Sequence, residues 1–247
     1  MKGSYQYGFF KRLYEVVPDF KINKMYASSV GALNAVPIII RKPYLLDKHW
    51  NRKEVLPFDT IAVDWDGVTS ENSQYRNVQR ARAFIKNGSI FKALDTRPCY
   101  DLMDCLDDEE LKHVENNLLI LCFDTKKEKV VYRKCRNKDE IVEAIRFSTM
   151  FPGLFTVDSH IVDGAFGINL DSIIQSKKNA QWLCIDLQGT LKGACYPSNI
   201  QVFSPKIIEK PIMNITSCLL VDRTMIDDLI ENGMQDADVY VKRLMDA

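Results

Sequence analysis

The sequence predicts an α/β protein whose mostly parallel central sheet is covered by helices on both faces. Short apolar runs that suit strands alternate with longer amphipathic runs that suit helices, a pattern typical of parallel sheets. The chain has 247 residues, of which 46% are hydrophobic, enough for one large buried core. It contains no repeat, low-complexity tract or linker, so we expect a single domain over residues 1–247.

The predicted elements begin with an amphipathic helix over residues 5–17, a short strand over 22–28 and a buried helix over 30–41. Pro37 marks a kink or an end in that helix. Residues 44–116 suit a helical insertion with polar loops. The remaining elements are strands at 117–124 and 129–134 joined as a hairpin, a helix at 138–148, strands at 160–165, 181–187 and 199–204, and a closing helix at 222–245.

Charge and composition exclude several classes of function. The 33 basic residues balance 33 acidic ones, so nothing predicts a nucleic-acid partner. The seven cysteines are odd in number and lack C-x-x-C spacing, which favours reduced thiols and a cytoplasmic location. No signal peptide or membrane-length apolar run is found, so membrane contact would be peripheral. D-W-D-G at 64–67 lacks a third ligand at calcium-loop spacing, and we expect no metal or cofactor.

The stretch A-S-S-V-G, residues 27–31, lies where a predicted strand meets a predicted helix. An exposed serine nucleophile on such a turn needs small neighbours two residues before and after it. Gly31 therefore selects Ser29 over Ser28, while Ala27 stands where glycine is usual. The helix that begins at Val30 would direct its N-terminal N–H groups at Ser29 and stabilise an oxyanion. The alternative is a structural turn.

A serine nucleophile needs a base, and the three histidines are poorly placed for that role. His49 and His113 fall in the helical insertion, and His160 begins a strand rather than ending one. Asp163 is better placed, because functional groups in open α/β sheets gather where strands end. Two interpretations of Asp163 stand at this point: a general base, or a cap for the turn at Gly164.

Together these stretches resemble the patatin-like phospholipases, a family with a Ser-Asp dyad. S-V-G-A-L-N-A after Ser28 is similar to the family's S-x-G-A-x-N-A elbow, and Asp163-Gly164-Ala165 is similar to its D-G-G/A motif. A-I-R-F-S-T-M-F-P-G-L-F, residues 144–155, resembles the segment that precedes this aspartate. Residues 2–13 resemble the end of the family's glycine-rich loop and the helix after it, and residues 88–95 resemble a further family segment.

The resemblance implies a three-layer α/β/α sandwich and hydrolysis of fatty-acyl esters, with phospholipid or a related acyl ester as substrate. Ser29 would be the nucleophile and Asp163 the general base, with Gly164 and Ala165 completing its motif. The oxyanion hole and elbow would involve Lys2, Gly3, Ala27, Val30 and Gly31.

One departure from the family pattern leaves alternatives open. Lys2 and Gly3 match the last two positions of the glycine-rich loop, and we expect the first strand and the glycine cluster to be truncated. Loss of one oxyanion donor typically costs about 10²- to 10³-fold in rate. A catalytically impaired lipid- or partner-binding protein is therefore an alternative. Acyl transfer to an alcohol other than water is a third interpretation.

Overall fold

The computed structural model describes residues 2–50, 96–152 and 159–167, and in the C-terminal part residues 173–174, 179–187, 189, 191, 195–206 and 223–246. The chain divides into two compact units. The first comprises Met1–Lys21, Ile168–Met213 and Asp222–Ala247, and the second comprises Ile22–Gly167 and Asn214–Val221.

The second unit contains a four-stranded sheet with β2 at its centre. Its strands are β1 (Met25–Ala27), β2 (Leu118–Asp124), β3 (Lys129–Lys134) and β4 (Ile161–Asp163). β2 and β3 form the predicted hairpin and are antiparallel, β1 is parallel to β2, and β4 is antiparallel to β2. The sheet is therefore mixed, whereas the sequence predicted a mostly parallel one. A hairpin can join only antiparallel strands, and β4 enters from the end opposite to β1.

Because β3 occupies one edge of β2, β1 and β4 both lie along the other edge. They run towards each other, since β1 is parallel and β4 antiparallel to β2. Ala27, the last residue of β1, is opposite Ile120, and Asp163, the last residue of β4, is opposite Cys122. Only Leu121 separates these two positions on β2. The carboxyl ends of two strands distant in sequence consequently meet at one point of the sheet.

Two helices of the second unit begin with recognisable side-chain caps. Asn137 accepts a hydrogen bond from the Glu140 amide at 2.9 Å, and Asp107 forms a capping box with Glu110. The helix after Asn137 buries Ile141 and Ile145, and contacts β2. The helices among the described residues of this unit are α2 (Val30–Ile39), α3 (Asp47–Trp50), α4 (Arg97–Asp104), α5 (Asp108–Asn117) and α6 (Lys138–Ser148), with 3₁₀ turns at Pro43–Leu46 and Gly164–Phe166.

The helical insertion predicted over residues 44–116 is described at its two ends, where α3, α4 and α5 are helical as expected. Residues 51–95 lie outside the described residues, and with them the helices expected there, the D-W-D-G stretch and the family-like segment 88–95. Pro37 lies inside α2, which continues to Ile39. Pro37 therefore does not end the helix at its own position.

The first unit joins the two ends of the chain. α1 (Gly3–Val16) packs against α7 (Arg223–Met245), and β5 (Trp182–Ile185) pairs in parallel with β6 (Ile200–Phe203). The two helix backbones approach closely, since a Cβ atom at Gly8 would overlap the carbonyl group of Ile230. The Tyr5 hydroxyl donates a 2.6 Å hydrogen bond to the buried Asp236 carboxylate. Among the described residues, no helix combines the length and apolar character needed to cross a membrane.

Candidate active site

Ser29 occupies the sharp turn between β1 and α2 in a strained conformation. Its backbone angles are φ 56° and ψ −136°, in the half of the map that side chains other than glycine rarely enter. The neighbouring Ala27 and Gly31 are both buried. Ser29 is the N-cap residue of α2, yet its hydroxyl makes no capping hydrogen bond. The turn thus presents the hydroxyl away from the helix, as a nucleophile elbow does.

Asp163 ends β4 and is 1% exposed. One carboxylate oxygen accepts a 2.8 Å hydrogen bond from the amide of Ala165, which caps the 3₁₀ turn that follows. The same carboxylate is hydrogen-bonded to the Ser29 side chain. Asp163 therefore caps its turn, which was one of the two interpretations, and its carboxylate also contacts the serine.

The contact between Ser29 and Asp163 follows from the strand register. Ser29 comes two residues after the end of β1, and Asp163 is the last residue of β4. The two strands run towards each other along β2 and end opposite Ile120 and Cys122, so the two side chains are brought together. Burial raises the pKa of Asp163 to about 6, and the hydrogen bonds from Ser29 and Ala165 lower it in part. A carboxylate with a pKa near 6 is a better proton acceptor than one near its usual value of about 3.9.

Ser148, the last residue of α6, is a further component of the site. It is fully buried, and its hydroxyl oxygen accepts a 3.0 Å hydrogen bond from the amide of Ser29. The same hydroxyl donates a 2.6 Å hydrogen bond to the carbonyl of Leu121. Sequence reasoning gave Ser148 no role. The family-like stretch at 144–155 includes it, but nothing in that pattern says which backbone group it binds.

The hydrogen bond to Ser148 also decides which amides remain available in the elbow. The Ser29 amide is engaged by Ser148, and the Gly31 amide bonds to the carbonyl of Ser28 at 2.9 Å. Within the described part of the chain, the Val30 amide makes no hydrogen bond. As the first residue of α2, Val30 offers a donor at the positive end of the helix dipole.

The other predicted residues divide between the two units. Gly164 is buried directly after Asp163. Lys2 and Gly3 belong to the first unit, where Gly3 begins α1 and the Lys2 carbonyl accepts from the Tyr5 amide at 3.2 Å. The hydroxyl oxygen of Ser28 is buried and has no hydrogen-bond partner among the described residues.

The histidines lie where the sequence predicted. His160 precedes β4, at the end opposite to Asp163, and its carbonyl binds Thr125. His113 lies on α5 beside Asn117, and His49 lies on α3. Within the described ranges, no group of three or more His, Cys, Asp or Glu side chains is arranged to hold a metal ion. The arrangement in the described residues is that of a serine hydroxyl, a carboxylate acceptor and a free helix amide.

The chain is similar to a known protein family. A family model described as patatin-like phospholipase matches residues 1–172, a range that contains Ser29, Ser148 and Asp163. No curated protein matches the chain.

Proposed function

Because the chain belongs to the patatin-like phospholipase family, we propose that it is a lipid acyl hydrolase in which Ser29 and Asp163 are the catalytic dyad. One observation carries this proposal: the hydroxyl of a serine held in a strained strand-to-helix turn is hydrogen-bonded to a buried carboxylate. A hydroxyl in that contact has an immediate proton acceptor, which is what serine needs to act as a nucleophile.

In the first half of the reaction, the Ser29 oxygen attacks the ester carbonyl carbon while its proton passes to Asp163. The carbonyl oxygen becomes an oxyanion, and the Val30 amide is the donor that we assign to it. When the tetrahedral intermediate collapses, the ester bond breaks and the leaving alcohol takes the proton from Asp163. The fatty acyl group then remains on Ser29 as an ester.

In the second half, a water molecule attacks the acyl carbon and gives its proton to Asp163. Collapse of the second tetrahedral intermediate releases the fatty acid, and the proton returns to the oxygen of Ser29. Ser148 takes no proton in either half. It holds the Ser29 backbone against β2 while bonds form and break.

The test is turnover of a p-nitrophenyl fatty ester and of a phospholipid by the wild-type chain and by Ser29→Ala. We expect the substitution to reduce turnover by about 10⁴-fold or more. Ser28→Ala is the matched control and should keep most of the activity. Full turnover by a folded Ser29→Ala variant would sink the proposal.

A fluorophosphonate probe gives a second test that is independent of the choice of lipid. The probe reacts only with an activated serine, so it should label the wild-type chain and Ser28→Ala but not Ser29→Ala. A folded wild-type chain that stays unlabelled would favour a lipid-binding protein without catalysis.

A further inference from the structure

The hairpin of β2 and β3 carries an unusual concentration of positive charge. Residues 126–138 contain seven Lys or Arg and one Glu, in a chain whose formal net charge is zero. The segment includes the tip of the hairpin and all of β3. Among the described strands, β3 pairs only with β2, so its other edge has no strand partner there.

Internal ion pairs account for only part of this charge. Three of the cations have carboxylate partners: Lys127 with Asp124 at 3.6 Å, Arg133 with Glu143 at 3.5 Å and Lys138 with Asp104 at 3.1 Å. The other four form no ion pair in the part of the chain that the structure describes; they are Lys126, Lys129, Lys134 and Arg136. Their charge is therefore available to an external partner.

An exposed aromatic side chain lies within the same surface. Tyr132 is 52% exposed and makes an edge-to-face contact with the Tyr26 ring, with centroids 6.3 Å apart. Val130, two residues earlier on the same face of β3, is only partly buried. Tyrosine combines an apolar ring with a polar end and is favoured where a protein meets an interface between water and apolar material. We call Lys126, Lys129, Tyr132, Lys134 and Arg136 the basic edge.

The basic edge is two strands from the dyad. Asp163 on β4 is opposite Cys122 on β2, and Cys122 is in turn opposite Val131 on β3. Neighbouring strands are about 4.8 Å apart, so Val131 lies on the order of 10 Å from Asp163 across the sheet. The basic edge is therefore near the dyad along the sheet, while Tyr132 and Lys134 lie on the face opposite to Cys122 and Asp163.

We propose that the basic edge docks this protein on an anionic lipid surface, with its cations at the headgroups and Tyr132 at the interface. The choice of a membrane rests on the proposed function, because a lipid hydrolase must reach ester bonds in a bilayer. Edge strands also carry lysine to prevent pairing with other chains. That role accounts for Lys129 and Lys134, but not for the exposed tyrosine or for the cation at the hairpin tip.

The experiment measures binding without hydrolysis. In the Ser29→Ala background, sedimentation is compared on vesicles of phosphatidylcholine alone and on vesicles with about a third phosphatidylserine. We expect binding only to the anionic vesicles. Each cation near such a surface contributes about 1 kcal/mol, so Lys126→Gln, Lys129→Gln and Lys134→Gln together should weaken binding by about 100-fold. The matched control removes three exposed lysines elsewhere: Lys21, Lys24 and Lys112.

Tyr132→Ser should weaken vesicle binding by several-fold, and Tyr44→Ser, at a site that is 57% exposed outside the basic edge, should not. An equal loss of vesicle binding in the basic-edge variant and in the control variant would overturn the proposal, because the vesicles would then attract lysines anywhere on the surface. If the variant that lacks Lys126, Lys129 and Lys134 still binds vesicles but now self-associates, these lysines prevent pairing of the strand edge with other chains and do not bind lipid. Preference for single-stranded DNA over anionic vesicles would also overturn it. Turnover of a soluble ester should be unchanged in the basic-edge triple, which separates failure of docking from failure of the proposed chemistry.

Discussion

The amide nitrogen of Ser29 lies 3.0 Å from the hydroxyl oxygen of Ser148, at the end of a helix 119 residues further along the chain. Ser148 in turn donates to the carbonyl of Leu121 at 2.6 Å. The strained elbow is thereby fixed to the central strand through one buried hydroxyl. A turn that holds a non-glycine residue at positive φ costs about 1–3 kcal/mol and persists only when its surroundings enforce it.

Ser148→Ala should impair catalysis more than binding. The variant leaves the Ser29 amide without its acceptor and the Leu121 carbonyl without its donor, so the elbow can relax. We expect kcat to fall by about 10- to 100-fold with little change in KM, and the free energy of unfolding to fall by about 2 kcal/mol. Steady-state kinetics and urea unfolding measure the two effects.

Ser28→Ala is the control for that experiment. The Ser28 hydroxyl is buried and has no hydrogen-bond partner in the part of the chain that the structure describes, so its removal should be neutral or slightly stabilising. Loss of stability in Ser148→Ala with an unchanged kcat would show that Ser148 supports the fold and does not position the nucleophile.

Activity should depend on pH through Asp163. The residue accepts a proton only as a carboxylate, and its pKa is raised to about 6 by burial. We therefore expect kcat/KM to increase about tenfold per pH unit below pH 6 and to level off above it. Rates of a soluble ester between pH 4.5 and 8, with buffer controls, are the measurement. A plateau that extends down to pH 4.5 would contradict the assignment of Asp163 as the base.

Asp163→Asn should remove activity and increase stability at neutral pH. The folded pKa of Asp163 is about 6, above the value of about 3.9 for an unfolded chain, so the folded state binds more protons between these pH values. The free energy of unfolding of the wild type should consequently fall as pH increases from about 4 to 6.

Asparagine does not ionise and can still accept from the Ala165 amide. The variant should gain up to about 3 kcal/mol over the wild type above pH 6, and the gain should vanish near pH 4. Thermal or urea unfolding at both pH values measures the difference. A gain that is equal at pH 4 and pH 7 would mean that ionisation is not its source.

Gly8→Ala should destabilise the first unit even though alanine favours helix more than glycine does. The added methyl would overlap the carbonyl group of Ile230, so α1 and α7 must move apart. We expect a loss of about 2–3 kcal/mol in unfolding free energy, against a helix-propensity gain of about 1 kcal/mol. Gly189→Ala is the control. Apart from its chain neighbours, no described residue has an atom within 4 Å of the new methyl, but φ is +72°, so about 1 kcal/mol should be lost.

The local sequence pattern was sufficient to predict the type and position of most of the described helices and strands. The predicted helix at 138–148 coincides with α6, the strand at 199–204 contains β6, and the closing helix at 222–245 contains α7. These segments are strongly periodic or begin with clear capping residues, so their neighbours in sequence determine them. Ser29 was selected in the same way, from the small residues around one turn.

Sheet pairing could not be predicted locally. The direction of β4 depends on which end of β2 it approaches, and β4 has only three residues. A strand of three residues shows almost no alternation of apolar and polar side chains, so its sequence does not predict which strand it pairs with or in which direction. The bridging role of Ser148 was missed for a related reason, because a buried serine at a helix end gives no sign of the distant amide it binds.

Because β1 and β4 meet end to end, the activity of the proposed dyad depends on the register of both strands. Each strand is held to β2 by three opposed residue pairs. Side chains alternate between the two faces of a sheet, so a slip of β4 by a single residue would turn Asp163 to the face away from Ser29. Such a slip would leave most of the core intact and would change the spectroscopic signal of the fold little, whereas it would lower the rate of ester cleavage.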